Sequence, residues 1–243
     1  MHIGVVAILL FILIPQSVRD VSDADGDIHK PGVFYGTLKL QPTGDGIHMK
    51  VLELYSYRDY YGYILSAQPG FSTDGASIPR PLWSIVGSPF TGKYIGAAVI
   101  HDVGCDSHKY TWEVTDKMFY DAMLDLGVTD HLAKLLYYGV RLGGPKWEAV
   151  RLSATTEAEL SKEIAASGAI SITETSGTTN SQHPTAVVVV PYPKRTVSKA
   201  ELLKFDRELT KREHENNPIS LREINDRTTP ESLKRPTGAM GPH

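Results

Sequence analysis

Cysteine is nearly absent from this chain of 243 residues, since Cys105 is the only one. A disulfide needs two cysteines, so no cross-link within the chain stabilises the fold, and stability has to come from a buried core. Clusters of basic residues are also missing, and the formal net charge is -3. Proteins that bind nucleic acid present clustered Lys and Arg, so the sequence argues against a nucleic-acid partner.

An uninterrupted run of about 20 apolar residues, the length of a membrane-spanning helix, is missing as well. The longest apolar run, Ile3–Ile14, is shorter, and no Lys or Arg precedes it. The run resembles the hydrophobic part of a signal peptide without the usual basic residues. We therefore expect residues 1–19 to form a signal-like or anchor segment, with membrane contact through Ile3–Ile14. A buried N-terminal strand is the alternative.

Alternating apolar and polar residues predict strands in the region that follows. Val33–Tyr35 and Lys50–Tyr55 alternate in this way, and the turn sequence Thr43–Gly46 separates them, so we expect a β-hairpin. Four tyrosines come soon afterwards, and we interpret them as packing on a sheet face. They are Tyr57, Tyr60, Tyr61 and Tyr63.

Three helices are predicted next, over residues of about 92–104, 113–126 and 129–142. Thr111 and Thr129 precede the second and third helices and are typical N-caps. These elements predict an α+β fold in which an N-terminal β-hairpin or small sheet packs on a three-helix core. The predicted domain covers residues 33–148.

The composition changes after this domain. Residues 149–186 have few large apolar side chains, which predicts a flexible linker, and residues 187–243 form a largely extended tail. Within the tail, Ala186–Val190 predicts a short strand that needs a sheet edge, its own or a partner's, and a charged helix is expected over 198–215.

The candidate catalytic residues are His101 and Asp116. Each lies on the apolar side of a predicted helix, so both side chains point inward between consecutive helices. A carboxylate that orients an imidazole creates a general base able to activate water. The same pair also occurs as a hydrogen bond that satisfies polar groups in a core. Both interpretations stay open.

Other residues near this pair suggest further chemistry. Asp102 could offer an oxygen ligand to a divalent cation such as calcium, and Asp74 is a second candidate ligand. Asp74 and Ser77 could act as a loop ligand and a nucleophile, but their sequence favours a turn that fixes the loop. Arg141 lies on an apolar helix face and is expected to pair with a buried carboxylate, Asp102 or Asp74.

Cys105 supports two less favoured alternatives. His101, Cys105 and His108 have a spacing that could bind zinc. Cys105 could also act as a nucleophile with His101 one helical turn away, although a single small cysteine on a helix usually serves packing.

Several short motifs follow one another in a fixed order between residues 73 and 147. They are Thr73–Pro79, Ala97–Ala98, His101–Asp102, Asp116, Phe119, Ala122–Met123, Gly127, Tyr138–Arg141 and Trp147. Together they resemble the domain of unknown function 1353 family of bacterial, prophage and phage proteins, over about residues 33–148. One departure is Cys105, which stands where the family usually has a Tyr after the His-Asp pair.

The predicted helix pair is also similar to the catalytic core of secreted phospholipase A2. This similarity implies that His101 activates water, that Asp116 orients the imidazole, and that Asp102 binds calcium beside the scissile carbonyl. The glycine-rich calcium loop of that family is missing here, and Thr73–Ala76, which includes Asp74, is the only candidate replacement.

The family resemblance implies a protein of phage or prophage type. Together with the signal-like segment, it predicts a location in the cell envelope, export, or a place in a virion. The first hypothesis is an envelope-associated hydrolase that cleaves an ester or amide bond with His101 and Asp116. The alternative is a non-catalytic virion structural or assembly protein in which the pair is a core hydrogen bond. Other virion or envelope proteins would then be partners through Ala186–Val190.

Overall fold

The computed structural model describes residues 29–75, 92–176 and 184–230 of the chain. Two small antiparallel sheets come first, three helices follow, and a third sheet and further helices complete these ranges. The α+β class predicted from the sequence is confirmed. The apolar run Ile3–Ile14 and Ser77 lie outside the described residues.

The first sheet has the strand order β1-β4-β5, with β1 Val33–Tyr35, β4 Tyr55–Arg58 and β5 Ile64–Ala67. Phe34, Tyr57 and Leu65 lie opposite one another in register, and all three pack into the main core. Successive side chains on a strand point to opposite faces, so the neighbouring positions form the outer face of this sheet.

The second sheet has the order β2-β3-β6, with β2 Leu40–Pro42, β3 Met49–Val51 and β6 Ser72–Thr73. The turn predicted at 43–46 is present, but it joins β2 to β3. The expected pairing of Val33–Tyr35 with Lys50–Tyr55 is therefore wrong. Residues 52–54 belong to no strand in the structure, so Tyr55 begins a new strand, and β1 pairs with that strand.

The three predicted helices are confirmed as α1 Ile95–Ser107, α2 Trp112–Asp125 and α3 Asp130–Gly143. The side chains of Thr111 and Thr129 each accept a hydrogen bond from a backbone N–H of the first turn, as expected of N-caps. The buried faces of these helices pack against β4 and β5 in one continuous core.

Beyond the helices, a third sheet has the order β7-β9-β8, with β7 Trp147–Ser153, β8 Ser171–Ser176 and β9 Thr185–Pro191. Helix α4, Glu157–Ala166, lies between β7 and β8 in the chain and packs on this sheet. The strand predicted at Ala186–Val190 is confirmed, and it pairs with β7 on one side and β8 on the other. The flexibility expected of residues 149–186 stays a prediction.

The charged helix expected near 198–215 is confirmed as α5, Lys199–His214, and a shorter helix α6, Leu221–Thr228, follows it. Both helices pack against α3. The ring of Phe205 on α5 stacks on Tyr138 with 3.8 Å between ring centroids, and the Tyr137 hydroxyl donates a hydrogen bond to Asn225 on α6. Among the described residues, no helix combines the length and apolar character that crossing a membrane requires.

Candidate functional site

His101 and Asp116 meet as predicted. The Nε2 atom of His101 lies 2.7 Å from Oδ1 of Asp116, so helices α1 and α2 are joined by a hydrogen bond between their inward faces. The side chain of His101 is 0% exposed and that of Asp116 is 3% exposed. The pair is therefore fully enclosed by protein.

A close approach of the two helices brings the pair together. Gly104 lies one turn after His101, and a Cβ atom on it would come within 2.4 Å of the Cγ2 atom of Thr115. Real Cβ atoms do not approach other atoms so closely, so a larger residue at 104 would push α1 away from α2. The small residues Ala97 and Ala98 are also buried on α1.

Arg141 on α3 completes a three-helix cluster. Its Nη1 atom lies 3.9 Å from Oδ2 of Asp116, and the guanidinium also donates hydrogen bonds to the side chains of Thr228 and Thr229 at the end of α6. A buried carboxylate partner was predicted, but as Asp102 or Asp74. The observed partner is Asp116, because α3 packs directly on α2.

One oxygen of this cluster is poorly satisfied. The Oδ2 atom of Asp116 is buried and accepts no hydrogen bond within the part of the chain that the structure describes. The Arg141 contact at 3.9 Å is too long for a hydrogen bond, so it contributes electrostatic attraction only. The carboxylate thus depends on His101 and Arg141 together for its stabilisation.

Cys105 lies beside the imidazole, one helical turn after His101 on α1. Its sulfur is 3.7 Å from Nδ1 and 3.9 Å from Nε2 of His101, and the side chain is partly exposed. The sulfur is therefore close to both ring nitrogens, whereas Asp116 contacts Nε2. Cys105 also packs beside the buried rings of Trp112 and Trp147.

Competing effects determine the pKa of His101. Burial lowers this pKa, whereas the Cys105 sulfur and the hydrogen-bonded Asp116 carboxylate raise it and together outweigh burial. The result is a pKa well above the ordinary 6.5. The protonated form of His101 is therefore favoured, with the Asp116 carboxylate and the Cys105 sulfur both beside the ring.

This raised pKa predicts a pH-dependent stability. The folded state holds a proton that the unfolded chain releases near pH 6.5, so the stabilisation is complete below that pH. It is lost as the pH rises through the higher pKa of the folded protein. We expect the difference in free energy of unfolding between the wild type and His101→Gln to shrink as the pH is raised above 6.5. Urea titrations at several pH values measure it, and parallel pH curves would contradict the assignment.

Asp102 and Asp74 lie where α1 meets the second sheet. Asp102 accepts a hydrogen bond from the hydroxyl of Thr73 on β6, which connects α1 to the second sheet. Asp74 follows Thr73 directly, at the end of that strand. Across residues 29–75, 92–176 and 184–230, no group of three or more His, Cys, Asp or Glu side chains is placed to hold a metal ion. Calcium binding through these aspartates stays a prediction.

Within the residues that the structure describes, no set of three side chains is placed to bind zinc either. His108 adopts a left-handed backbone conformation just after α1, and its ring packs edge-on against Trp147, 4.9 Å between centroids. Its position after the end of α1 separates it from His101 and Cys105, which share a helix face.

Sequence reasoning missed the residues that surround Arg141. The guanidinium lies 4.2 Å from the centre of the Trp112 ring, and the Lys146 ammonium lies 5.2 Å from the same ring. Burial lowers the pKa of Lys146. In the sequence, the position of Trp112 at the start of an amphipathic helix could have predicted that its ring is buried. Thr228, by contrast, lies 87 residues from Arg141 in the sequence, and no local pattern connects them.

Comparison with known families confirms the resemblance found in the motifs. Residues 49–140 match the family model described as Protein of unknown function (DUF1353). The matched region contains His101, Asp116 and Cys105. Arg141 and the helices α5 and α6 lie beyond it.

Two similar proteins come from Sinorhizobium fredii (strain NBRC 101917 / NGR234). The chain is 45% identical over 104 residues to the uncharacterized protein y4iH, covering 43% of this chain and 44% of the relative. It is 38% identical over 120 residues to the uncharacterized protein y4jT, covering 47% of this chain and 36% of the relative. The similarity thus spans less than half the length of each relative. No solved structure matches the chain significantly.

Proposed function

We propose that the protein is a non-catalytic, envelope-associated component of phage or prophage type, in which the buried cluster of His101, Asp116 and Arg141 holds the helices in a fixed arrangement. The family resemblance supports the phage or prophage part of this proposal. The geometry of the cluster supports the non-catalytic part.

The complete burial of His101 is the observation on which this proposal depends. A general base has to come within hydrogen-bond reach of the proton that it removes. Asp116 contacts Nε2 of His101, the Cys105 sulfur lies within 3.9 Å of both ring nitrogens, and the side chain exposes no surface. Water or substrate would have to displace protein groups before it reached this imidazole.

The cluster is well placed for a structural role. His101, Asp116 and Arg141 come from three consecutive helices, and Arg141 extends the contacts to the end of α6. A buried charge tolerates few alternative arrangements, because any shift that separates it from its partner leaves it unpaired. Such a cluster favours one packing of the helices, which suits a component that presents fixed surfaces to an assembly.

Hydrolysis of an ester or amide is the second candidate, and the position of Cys105 favours it. The partly exposed sulfur would attack the substrate carbonyl as a thiolate, and the protonated His101 would donate its proton to the leaving alcohol or amine as the ester or amide bond breaks. Water would then release the acyl group from the sulfur. Asp116 would orient the imidazole throughout. In this version Cys105 replaces the activated water that the phospholipase similarity implied.

His101→Ala and Cys105→Ala distinguish the two candidates. We expect the wild type to show no turnover of phospholipid, peptidoglycan or activated ester substrates above that of Cys105→Ala. His101→Ala should lower the free energy of unfolding by about 1–3 kcal/mol, because Asp116 loses its hydrogen-bond partner inside the core.

The opposite pattern would overturn the proposal. Turnover by the wild type that both substitutions abolish, with Cys105→Ala unfolding like the wild type, would establish the hydrolase. A stability loss in His101→Ala without activity in any of the three proteins would support the structural role.

A further inference from the structure

The outer face of the first sheet carries an unusual set of exposed side chains. We call this surface the tyrosine face; it comprises Val33, Tyr35, Arg58, Tyr60, Tyr61 and Ile64. Tyr35, Tyr60 and Tyr61 are 45%, 58% and 52% exposed. The sequence predicted that Tyr57, Tyr60, Tyr61 and Tyr63 pack on a sheet face. Tyr57 is fully buried, but Tyr60 and Tyr61 are exposed.

The topology places these residues on one surface. Val33, Arg58 and Ile64 are aligned across β1, β4 and β5, one position away from the inward row of Phe34, Tyr57 and Leu65. Tyr60 and Tyr61 lie in the turn between β4 and β5, and their rings meet edge to face at 5.4 Å. The tyrosine face therefore combines a sheet surface with the tip of its hairpin.

Basic groups accompany these rings. The Lys30 ammonium lies 4.9 Å from the centre of the Tyr60 ring, and the Arg58 guanidinium lies 6.0 Å from the centre of the Tyr35 ring. Lys109 donates a hydrogen bond to the backbone carbonyl of Ile64 at the rim. Positive charge beside exposed aromatic rings complements an anionic surface.

Asp59, the acidic residue between Arg58 and Tyr60 in the sequence, is not exposed on the tyrosine face. Asp59 is buried, and one of its oxygens accepts a hydrogen bond from the backbone N–H of Tyr63. Burial raises its pKa to about 6, and the charge of Asp121 adds to this effect. Asp59 is still mostly ionised at neutral pH, but its carboxylate is buried and bonded to the backbone, so it does not form part of the exposed surface.

The chain enters the domain beside the same surface. Asp125 on α2 accepts hydrogen bonds from the backbone N–H of Gly32 and from the Tyr57 hydroxyl, and it lies 2.8 Å from the His29 ring. These contacts fasten residues 29–32 next to the hairpin, where Lys30 meets Tyr60. Residues 15–28 connect this point to the apolar run Ile3–Ile14 in the sequence.

We infer that the tyrosine face binds the surface of an anionic lipid bilayer. Tyrosine rings are favoured at the boundary between hydrocarbon and water, because the ring is apolar and the hydroxyl is polar. Lys30 and Arg58 add attraction to anionic headgroups. If the apolar run Ile3–Ile14 also contacts the bilayer, the two weak contacts together bind the membrane much more strongly than either one alone. The inference rests on the envelope association in the proposed function.

Vesicle binding by the full chain tests this inference. We compare phosphatidylcholine vesicles with vesicles containing phosphatidylglycerol, using the wild type, a Tyr35→Ser/Tyr60→Ser/Tyr61→Ser variant and a Lys30→Gln/Arg58→Gln variant. The first variant should bind both vesicle types roughly tenfold more weakly, through loss of buried aromatic surface. The second should bind anionic vesicles roughly 25-fold more weakly and bind neutral vesicles unchanged, since each of its two basic residues contributes about a fivefold factor on an anionic surface.

Matched controls come from the third sheet. Ile170 and Ile172 are 54% and 51% exposed, so Ile170→Ser/Ile172→Ser removes similar apolar surface elsewhere and should bind like the wild type. Arg151→Gln/Lys162→Gln removes two exposed charges from the same region and should also have little effect. Circular dichroism and thermal unfolding verify that every variant is folded.

A local probe separates the tyrosine face from any contact made by Ile3–Ile14. In a Cys105→Ser background, a bimane fluorophore on Ile64→Cys should be quenched by brominated lipids, whereas one on Ile172→Cys should not. Two results would overturn the inference while leaving envelope association intact. One is equal quenching at both positions, and the other is unchanged vesicle binding by the tyrosine variant and the Lys30/Arg58 variant. If the wild type binds neither vesicle type, the membrane association fails as well.

Evidence for a different binding partner of the tyrosine face would also overturn the inference. Retention of the wild type on insoluble peptidoglycan, lost in the tyrosine variant without any change in vesicle binding, would identify a glycan. Self-association in sedimentation velocity that the tyrosine substitutions abolish, again with vesicle binding unchanged, would identify a second copy of this chain.

Discussion

Replacing Asp116 with Ala is expected to lower the free energy of unfolding by about 3–5 kcal/mol. The substitution leaves the His101 imidazole without its hydrogen-bond partner and the Arg141 guanidinium without its nearest carboxylate, both in a buried setting. Each group is then a charge in the core with reduced compensation. Urea unfolding followed by circular dichroism at neutral pH measures the change.

Two further variants identify the cause of that loss. Asp116→Asn keeps an oxygen that can accept from His101 and removes the charge, so it should lose less stability than Asp116→Ala. Glu53→Ala breaks the exposed ion pair with Lys39, and it should change stability by less than about 1 kcal/mol. A loss of that small size for Asp116→Ala would show that the buried cluster contributes little to the fold.

Phe205→Ala is expected to have an effect of similar size, about 3–5 kcal/mol, although it lies outside the region that matches the family. Phe205 is 2% exposed and stacks on Tyr138 of α3, so the substitution creates a cavity between α5 and the helical core. The same urea titration measures the loss. A single cooperative transition would show that the C-terminal helices unfold together with the core.

Lys204→Ala is the matched control for this prediction, because Lys204 precedes Phe205 on the same helix and is exposed. Its free energy of unfolding should stay within about 0.5 kcal/mol of the wild type. If Phe205→Ala resembled this control, α5 would contribute little to the stability of the domain. The tail predicted from composition would then be an appendage to the fold.

The helical periodicity of the sequence alone was sufficient to predict the contact between His101 and Asp116. Both residues repeat with the apolar positions of their helices, and a short loop between the helices leaves little choice of partner. The N-caps Thr111 and Thr129 were predictable for a related reason, because capping involves only the first turn of a helix. Contacts that depend on local spacing were therefore accessible from the sequence.

Contacts between distant segments were not accessible. Arg141 was expected to pair with Asp102 or Asp74, yet it lies beside Asp116 and reaches Thr228 and Thr229. An inward position shows that a polar group needs a partner, but it does not identify the partner. The packing of α3 between α2 and α6 makes that choice.

The strand pairing of the N-terminal region shows the same limit. Alternation predicted strands near Val33 and near Lys50, and turn residues predicted the reversal at 43–46. Which strands are neighbours depends on the register that buries Phe34, Tyr57 and Leu65 against the helices. The exposure of Tyr60 and Tyr61 follows from that register, because it places the hairpin tip beyond the edge of the core.

The amino-acid sequence by itself determined the α+β class, the three helices with their caps, the meeting of His101 with Asp116, and the family resemblance. All of these follow from short-range periodicity or from local motifs. Only the tertiary structure decided that His101 is sealed, that Arg141 joins the cluster, and that the tyrosine face is exposed. Burial and pairing across long sequence separations result from the simultaneous packing of all elements, and no local pattern encodes them.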